Sequence, residues 1–369
     1  MKVLVVFGTR PEAIKMCPLV LALKRDPDIE TKVCVTGQHR EMLDQVLEIF
    51  GVVPDYDLAI MRPRQTLETI TTAVLENIGE AIDAEQPDIV LVHGDTTTSM
   101  ASALASFYKQ IPVGHVEAGL RTYNIYSPFP EEMNRKLITA LTTFFFAPTE
   151  GNRRALERES VIDNVYVTGN TVIDAFQYTT RDDYQFANED FAKHDFAKPT
   201  VLMTAHRREN LGKPLENICD AVLELCERHP DLHVVYPVHL NPAVRDTVFA
   251  KLGDHPRITL TDPVDVQDMH NAMARCVIVL TDSGGLQEEA PHLGKPVIVL
   301  RTETERPEAV EAGTAVVAGV ERDVIVQITD EILTDKAAYD RMANAINPYG
   351  DGHASERIVE ILKREFAER

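Results

Sequence analysis

The chain has 369 residues, of which 44% are hydrophobic and 26% charged, a composition typical of a globular protein large enough for two domains. Its formal net charge of −21 would repel nucleic acid and anionic membrane surfaces, so neither is expected as a partner. No apolar run approaches the roughly 18 residues that a membrane-spanning helix needs.

The N-terminus and the cysteines predict a cytoplasmic protein. MKVLVVFGTR is too short an apolar run for a signal peptide and ends in turn residues, so it predicts a first β-strand. The five cysteines form no CxxC pair and no even disulfide set. Cys34 and Cys276 fall inside predicted strands, where a buried, reduced thiol is expected.

Apolar runs and amphipathic stretches alternate along the whole chain. The first half predicts strands at 3–7, 32–37, 88–95, 112–119, 144–150 and 165–170. A polar stretch near 180–198 has no strand signal. The second half predicts strands at 200–206, 232–239, 257–262, 276–285, 295–300 and 314–319.

This alternation predicts an α/β fold of two Rossmann-like, doubly wound domains that face a central cleft. We expect the first domain at 1–170 and the second at 171–352. A final helix, at about 353–369, is expected to pack back on the first domain.

The loop GTRPE (8–12) follows the first predicted strand. Gly8 permits a tight turn and Pro11 suits the first helical position, which places Arg10 beside a helix N-terminus. Lys15 falls one turn further along. The loop therefore predicts an anion site, with a simple turn and two solvated cations as the alternative.

The segment TDSGGLQEEA (281–290) is the strongest signal in the second half. Ser283 suits an N-cap, and Gly284 and Gly285 would let phosphate oxygens approach backbone N–H groups at the helix N-terminus. Glu289 lies far enough along the helix to accept hydrogen bonds from a ribose diol. An ordinary capped helix is the alternative.

Two further strand ends carry histidines. His206 stands beside Arg207 and Arg208 in TAHRREN, and His239 follows a strand in YPVHLNP. A histidine next to two arginines in an acidic chain favours anion binding, although a lone histidine is more often structural.

The chain has no GxGxxG after a strand, no GxxxxGK[ST], no HExxH and no Cys/His cluster, so we expect no cofactor and no metal. His93 and Asp95 could in principle join a metal, but Asp95 is expected to cap the following helix. These patterns favour a diphosphate held by Arg, Lys and helix ends.

Acidic residues gather in GHVEAGLRTYNIYSPFPEEMNR (114–135). Glu117 stands at the carboxyl end of a predicted strand, and Glu131 and Glu132 follow Pro130 where a helix can begin. Solvated surface acids are the ordinary explanation, and paired acid/base groups are the alternative.

Ten motifs together resemble the non-hydrolysing UDP-N-acetylglucosamine 2-epimerases, in order, from Gly8 to about Gly352. They are GTRPEAIKMCPLV, GQHREML, VHGDTTT, GHVEAGLRT, SPFPEEMNR, GNTVID, HRREN, YPVHLNP, LTDSGGLQEEAP and TERPEAVEAGT. The resemblance implies the two-domain GT-B fold of glycosyltransferases and a homodimer. It also implies reversible conversion of UDP-GlcNAc to UDP-ManNAc.

The resemblance further implies residue roles. The catalytic groups would be Asp95, Glu117, Glu131 and His206. The substrate would be held by Arg10, Lys15, Ser283, Gly284, Gly285 and Glu289, with Glu132 and Arg135 in support or purely structural.

Some bacterial members of the family bind a second, activating UDP-GlcNAc. The matching positions here are Gln38, Glu41, Arg64, Glu131, Arg207 and His239. Some such enzymes have Gln where this chain has Glu41. At Met269, relatives often carry an aromatic near the uracil, for which a flexible thioether is a partial substitute.

Four other functions are compatible with parts of this pattern. They are a hydrolysing 2-epimerase, an epimerase of a modified UDP-GlcNAc, a GT-B UDP-sugar glycosyltransferase, and a sugar-nucleotide sensor without turnover. A glycosyltransferase gives no role to three carboxylates around C2, and a sensor would be expected to have lost one of them.

Overall fold

The computed structural model describes residues 1–37, 40–60, 62 and 65–367, and at 40 and 41 it describes the backbone only. The chain forms two compact units. The N-terminal unit comprises Met1–Tyr178 and Tyr349–Arg369, and the C-terminal unit comprises Thr179–Pro348.

The N-terminal unit is built on a parallel sheet. Its strands are β1 (Lys2–Phe7), β2 (Glu30–Val35), β3 (Tyr56–Asp57), β4 (Ile89–His93), β5 (Val113–Val116), β6 (Phe144–Ala147) and β7 (Val165–Val167). Their spatial order is β3-β2-β1-β4-β5-β6-β7. The order reverses between β1 and β4, and loops at the carboxyl ends of strands beside such a switch point commonly bind ligands.

Helices cover both faces of this sheet. They are α1 (Arg10–Arg25), α2 (Arg40–Phe50), α3 (Leu67–Glu85), α4 (Thr97–Tyr108), α5 (Glu131–Leu141), α6 (Glu150–Arg158), α7 (Thr171–Asp174), α8 (Phe176–Thr179) and α17 (Ala354–Ala367). Successive side chains of β1 point to opposite faces. Val3 and Val5 pack in the core with α1, α2 and α17, whereas Leu4 and Val6 pack with α3 and α4. Burial on both faces explains why β1 is apolar throughout.

The last helix, α17, belongs to the N-terminal unit. Ile358 and Leu362 are fully buried in the same core as Leu19 and Leu23 of α1. A solvent-side ion pair joins Lys363 Nζ to Asp26 at 2.7 Å.

The C-terminal unit is a second parallel sheet. Its strands are β8 (Thr200–Thr204), β9 (His233–Pro237), β10 (Ile258–Thr261), β11 (Ile278–Thr281), β12 (Val297–Val299) and β13 (Ala315–Val317). The order β10-β9-β8-β11-β12-β13 reverses between β8 and β11. Both strands at this switch point are followed by residues singled out from the sequence, at 206–208 and 283–285.

Helices also flank the second sheet. They are α9 (Glu189–Lys193), α10 (Lys213–Arg228), α11 (Pro242–Leu252), α12 (Val266–Arg275), α13 (Gly284–Glu289), α14 (Pro307–Glu311), α15 (Arg322–Thr334) and α16 (Lys336–Ala343). The core on one face joins Met203 of β8 to Ile218 and Val222 of α10, and to Ile325 of α15.

These observations confirm the predicted α/β fold with two doubly wound sheets. The sequence patterns did not predict β3, because a two-residue edge strand is shorter than the apolar run from which a strand is recognised. Among the described residues, no helix combines the length and apolarity required to cross a bilayer.

Candidate active site

The loop between β1 and α1 is organised around one buried carboxylate. Glu12 is only 2% exposed, and its Oε2 accepts hydrogen bonds from the backbone N–H groups of Gly8 and Thr9 at 3.0 and 2.8 Å. Its Oε1 accepts from the hydroxyls of Thr96 and Ser99 at 2.7 and 3.1 Å. Glu12 thereby joins the N-terminus of α1 to that of α4. The T-x-x-E capping-box pattern in the sequence was the signal that could have revealed it.

Gly8 is required here for close packing. A Cβ at this position would overlap Thr36 Oγ1 and lie 2.9 Å from Thr98 Oγ1. Gly8 is not among the glycines with positive φ, so close packing, and not the predicted freedom to make a tight turn, requires glycine here. Arg10 is the first residue of α1, and Pro11 follows within the first turn as expected.

Glu117 receives three polar partners on one oxygen. Lys15 forms an ion pair with Oε2, His93 Nε2 lies 3.3 Å from it, and Asn170 Nδ2 donates to it at 3.2 Å. Burial alone would raise the pKa of Glu117, but the Lys15 ammonium and the His93 imidazole hold it well below its usual range. The carboxylate is therefore kept charged inside the protein.

The backbone of Glu117 is strained, with φ of +64°. A non-glycine residue in the left-handed region costs energy, and such residues concentrate at functional sites. The conformation directly follows β5 and turns the side chain toward His93 at the end of β4.

Asp95 does not cap α4, contrary to the prediction. Thr96 is the N-cap, and its hydroxyl accepts from the backbone N–H of Ser99 at 3.1 Å. Asp95 Oδ2 instead accepts from Nε and Nη2 of Arg135 at 2.9 and 2.7 Å, and its backbone carbonyl accepts from Asn134 Nδ2. The tertiary pairing with α5 therefore replaces the local cap.

The two adjacent acids at the start of α5 differ sharply. Glu132 is fully buried and accepts from Arg135 Nη1 at 2.9 Å and from the backbone N–H groups of Thr122 and Tyr123. This supports the structural interpretation of Glu132. Glu131 Oε2 is buried without a hydrogen-bond partner among the residues that the structure describes. A buried carboxylate oxygen without a donor is costly, so Glu131 remains a candidate functional residue.

His206 in the C-terminal unit follows β8 beside the end of β11. Asp282 Oδ2 accepts from the backbone N–H groups of His206 and Arg207, at 2.7 and 2.8 Å. The His206 ring stacks on that of His239, with centroids 5.2 Å apart. Burial lowers the pKa of His206, and the Asp282 carboxylate opposes part of that lowering.

The segment 283–289 forms helix α13, as predicted, but Ser283 makes no side-chain capping bond. A Cβ at Gly284 would lie 3.6 Å from the Arg306 guanidinium, so a cation stands beside this helix N-terminus. Glu289 Oε2 lies 3.4 Å from Nε2 of the buried His270 on α12.

Several predicted residues cannot be placed. Gln38 and Arg64 lie outside the described residues, as does the side chain of Glu41. Arg207 and His239 are described and lie beside His206, and Met269 is half-buried on α12. In the part of the chain that is described, no three His, Cys, Asp or Glu side chains group as metal ligands.

Within the N-terminal unit, the structure connects the predicted residues through groups that the sequence analysis left without a firm role. His93 and Asn170 contact Glu117, while Arg135 links Asp95 to α5. Asn170 belongs to the GNTVID motif, which was a signal without an assigned role.

Comparison with known proteins identifies the family. The family model described as UDP-N-acetylglucosamine 2-epimerase matches residues 21–363. The UDP-N-acetylglucosamine 2-epimerase of Bacillus subtilis strain 168 is 53% identical over 370 residues, which cover 100% of this chain and 97% of the relative. A crystal structure of UDP-GlcNAc 2-epimerase from Neisseria meningitidis bound to UDP-GlcNAc has a TM-score of 0.89 and 48% identity, covering 99% of this chain and 100% of that one.

A more distant neighbour bears on the fold alone. The structure of a glycosyltransferase from Streptomyces sp. SF2575 has a TM-score of 0.53 at 14% identity, covering 98% of this chain and 99% of that one. The similarity agrees with the predicted GT-B-like architecture. The family match and the full-length relatives confirm the resemblance seen in the motifs: the chain belongs to the UDP-N-acetylglucosamine 2-epimerase family.

Proposed function

We propose that this protein catalyses reversible epimerisation at C2 of UDP-N-acetylglucosamine to give UDP-N-acetylmannosamine. The observation that carries the proposal concerns two half-buried carboxylates, Glu117 and Glu131. One is held charged by Lys15 and His93, and the other has an oxygen without a donor among the described residues. Family membership supplies the substrate class.

The reaction requires elimination because C2 of this sugar has no adjacent carbonyl to acidify its proton. When the C1–O bond breaks, the electron pair leaves with UDP and C1 becomes oxocarbenium-like. A carboxylate can then remove the C2 proton, which gives 2-acetamidoglucal. A proton delivered to the opposite face of C2, and return of the UDP oxygen to C1, completes the epimerisation without net consumption of protons.

We assign the proton transfers to Glu117 and Glu131, with one carboxyl serving each face of C2. Asp95, whose carboxylate is paired with Arg135, is the third acid that we assign to the proposed site. The strained backbone at Glu117, and the Glu131 oxygen that has no partner among the described residues, support this assignment, since such features concentrate at functional sites.

We assign stabilisation of the leaving diphosphate to Arg10, Lys15 and His206, and to the backbone N–H groups of Gly284 and Gly285. Cations and oriented N–H groups stabilise charge that develops on a departing anion. Glu289 is assigned to the ribose hydroxyls. The chemistry proposed here uses protein groups only, and no cofactor is part of it.

The decisive test is a proton NMR time course with UDP-GlcNAc in D₂O. UDP-ManNAc carrying deuterium at C2 is the expected product. Free ManNAc and UDP would instead indicate the hydrolysing reaction. No exchange at all would contradict the proposal and direct attention to a modified substrate, a glycosyltransferase or a sensor.

A second test addresses the carboxylates. Glu117→Gln and Glu131→Gln should each retain UDP binding and lose turnover by roughly 10²–10⁴-fold, the usual contribution of a general acid or base. Near-normal turnover in either variant would remove that residue from the mechanism.

We also propose a homodimer, an activating UDP-GlcNAc site and a cytoplasmic location. The resemblance supports the first two, and Glu131, Arg207 and His239 are the members of the second site whose side chains the structure describes. Exposed Phe107 and Tyr108 on α4 offer an apolar surface for a partner copy. The five cysteines are all free and buried, which is compatible with a reducing compartment. Light scattering tests the homodimer. Initial-rate curves with added UDP-GlcNAc test the activating site, and cell fractionation tests the location.

A further inference from the structure

Asp282 is the most completely buried acid beside the proposed diphosphate groups. It directly follows β11, at the switch point of the C-terminal sheet, and its exposure is 0%. Its Oδ2 accepts the two backbone N–H bonds from 206 and 207, and a third from Asn210 Nδ2 at 3.0 Å. Three N–H donors on one oxygen stabilise the charged carboxylate.

The other oxygen of Asp282 is unusual. Oδ1 is buried, and among the described residues it has no hydrogen-bond partner. His206 Nδ1 lies 3.5 Å from it, slightly beyond a normal N–H···O distance. An unpaired carboxylate oxygen in the interior is costly, and a small rotation of the imidazole would satisfy it. Catalytic hydrogen bonds are often long in the free enzyme and shorten in the complex.

The surroundings keep the His206 ring close to this orientation. His239 stacks against one ring face with planes 10° apart, and the preceding carbonyl of Ala205 accepts from Tyr236 Oη at 2.6 Å. The charged and titratable groups that act on His206 are Asp282 from the end of β11, His239 from the loop after β9, and neighbouring Arg207. Asp282 is the one anion in this set.

We propose that Asp282 is a positioning residue for His206, with Oδ1 accepting a hydrogen bond from Nδ1–H and Nε2 thereby directed to the substrate diphosphate. The part concerning the diphosphate rests on the function proposed above. The proton stays on Nδ1 throughout. When an anionic diphosphate lies beside Nε2, that nitrogen takes up a proton from solvent. The Asp282 carboxylate stabilises the resulting imidazolium, whose Nε2–H then bonds the leaving oxygen.

The variant Asp282→Asn tests this with a clear geometric expectation. Every group on the Oδ2 side is a donor, so the asparagine oxygen must occupy that position. Its NH₂ group then replaces Oδ1 and faces His206 Nδ1 as a donor. Nδ1 must therefore lose its proton, and the neutral imidazole should change to the Nε2–H tautomer.

The readout is the ¹⁵N NMR spectrum of the His206 ring, assigned by comparison with His206→Gln. We expect Nδ1–H in the wild-type protein and Nε2–H in Asp282→Asn, at a pH where the ring is neutral. The His206 pKa should also be lower in the variant, because the anion that raises it is gone. The same tautomer in both proteins would overturn the proposal.

The matched control is Asp268→Asn. Asp268 is also buried in the C-terminal unit, and it accepts backbone N–H bonds from Ala187 and Asn188 and the hydroxyl of Tyr184. It should lose stability comparably but keep the wild-type tautomer. If Asp282→Asn does not fold, the spectrum of the wild-type protein still tests the proposal. An Nε2–H tautomer of His206 in the wild-type protein would contradict the proposed hydrogen bond.

Measurements of turnover distinguish a failure of this proposal from a failure of the proposed function. With UDP-GlcNAc, Asp282→Asn should lower kcat by roughly 10²-fold while UDP binding changes little. Unchanged kcat despite a changed tautomer would overturn the catalytic part. A wild-type protein with the Nδ1–H tautomer but no exchange at C2 would refute the epimerase proposal and leave the positioning of His206 intact.

Discussion

Removing the Lys15 ammonium should make the protonation of Glu117 visible in the pH dependence of turnover. The two side chains are 15% and 14% exposed, so water screens their ion pair little. In the wild-type protein Lys15 and His93 hold the pKa of Glu117 well below its usual range despite burial. Lys15→Met leaves the half-buried Glu117 carboxylate with His93 and Asn170 as its polar partners among the described residues.

The expected magnitude follows from the cost of breaking a buried pair. Loss of one partner costs ~3–5 kcal/mol, and ~1.4 kcal/mol of interaction with the charged form corresponds to one pH unit. If only half of this free energy acts on the ionisation of Glu117, the pH at which turnover falls on the acid side should still rise by more than about one unit. The direction is upward because the variant protonates Glu117, and so loses the base, at a higher pH.

The assay is kcat and kcat/KM against pH, measured as deuterium incorporation at C2 in the direction in which Glu117 removes the proton. Any role of Lys15 in UDP binding appears separately, as a higher KM. Lys2→Met is the matched control, since Lys2 pairs with Glu85 at 3.2 Å in the same unit and should leave the profile unchanged. Superimposable profiles of kcat against pH for Lys15→Met and the wild-type protein would refute the proposal that Lys15 lowers the pKa of Glu117.

Three further predictions concern stability. Glu132→Ala should lower the free energy of unfolding by ~3–5 kcal/mol, because it removes the buried carboxylate that pairs with Arg135. Urea titrations measure this, and a loss below about 1 kcal/mol would contradict it. Gly8→Ala should cost ~1–3 kcal/mol by the same measurement, since its Cβ overlaps Thr36, and an unchanged unfolding midpoint would show that the loop adjusts freely. Burial lowers the pKa of His115 to about 3, so the unfolded chain binds more protons between about pH 6.5 and 3. Stability should therefore fall by about 1.4 kcal/mol per pH unit from this group as pH decreases through that range, and His115→Gln should flatten the slope seen in thermal melts.

The fold was predictable because its signals are local. The strands at 3–7, 88–95 and 200–206 are buried on both faces, and this forces near-continuous apolar runs that are easily recognised. The starts of α1 at Arg10 and of α13 at Gly284 lie beside turn and capping residues that are recognised in the sequence. The short edge strand β3 was missed because its two residues carry no pattern.

The sequence predicts which residues form the candidate site, but it does not predict how their side chains pair. Asp95 shows the limit: a residue before a helix is expected to cap it, and only the position of α5 reveals Arg135 as its partner. Glu131 and Glu132 are adjacent and chemically identical. Glu132 accepts hydrogen bonds from Arg135 and two backbone N–H groups, whereas Glu131 has a buried oxygen with no partner among the described residues.

The sequence by itself determined the family, the two parallel sheets and the residues gathered at the carboxyl ends of their strands, because motifs and periodicity are properties of short segments. Tertiary structure decided which charges meet. Lys15 and Glu117 are 102 positions apart, and His206 and Asp282 are 76 apart. The state of each acid or base depends on such partners and on burial, and neither can be read from the residues beside it.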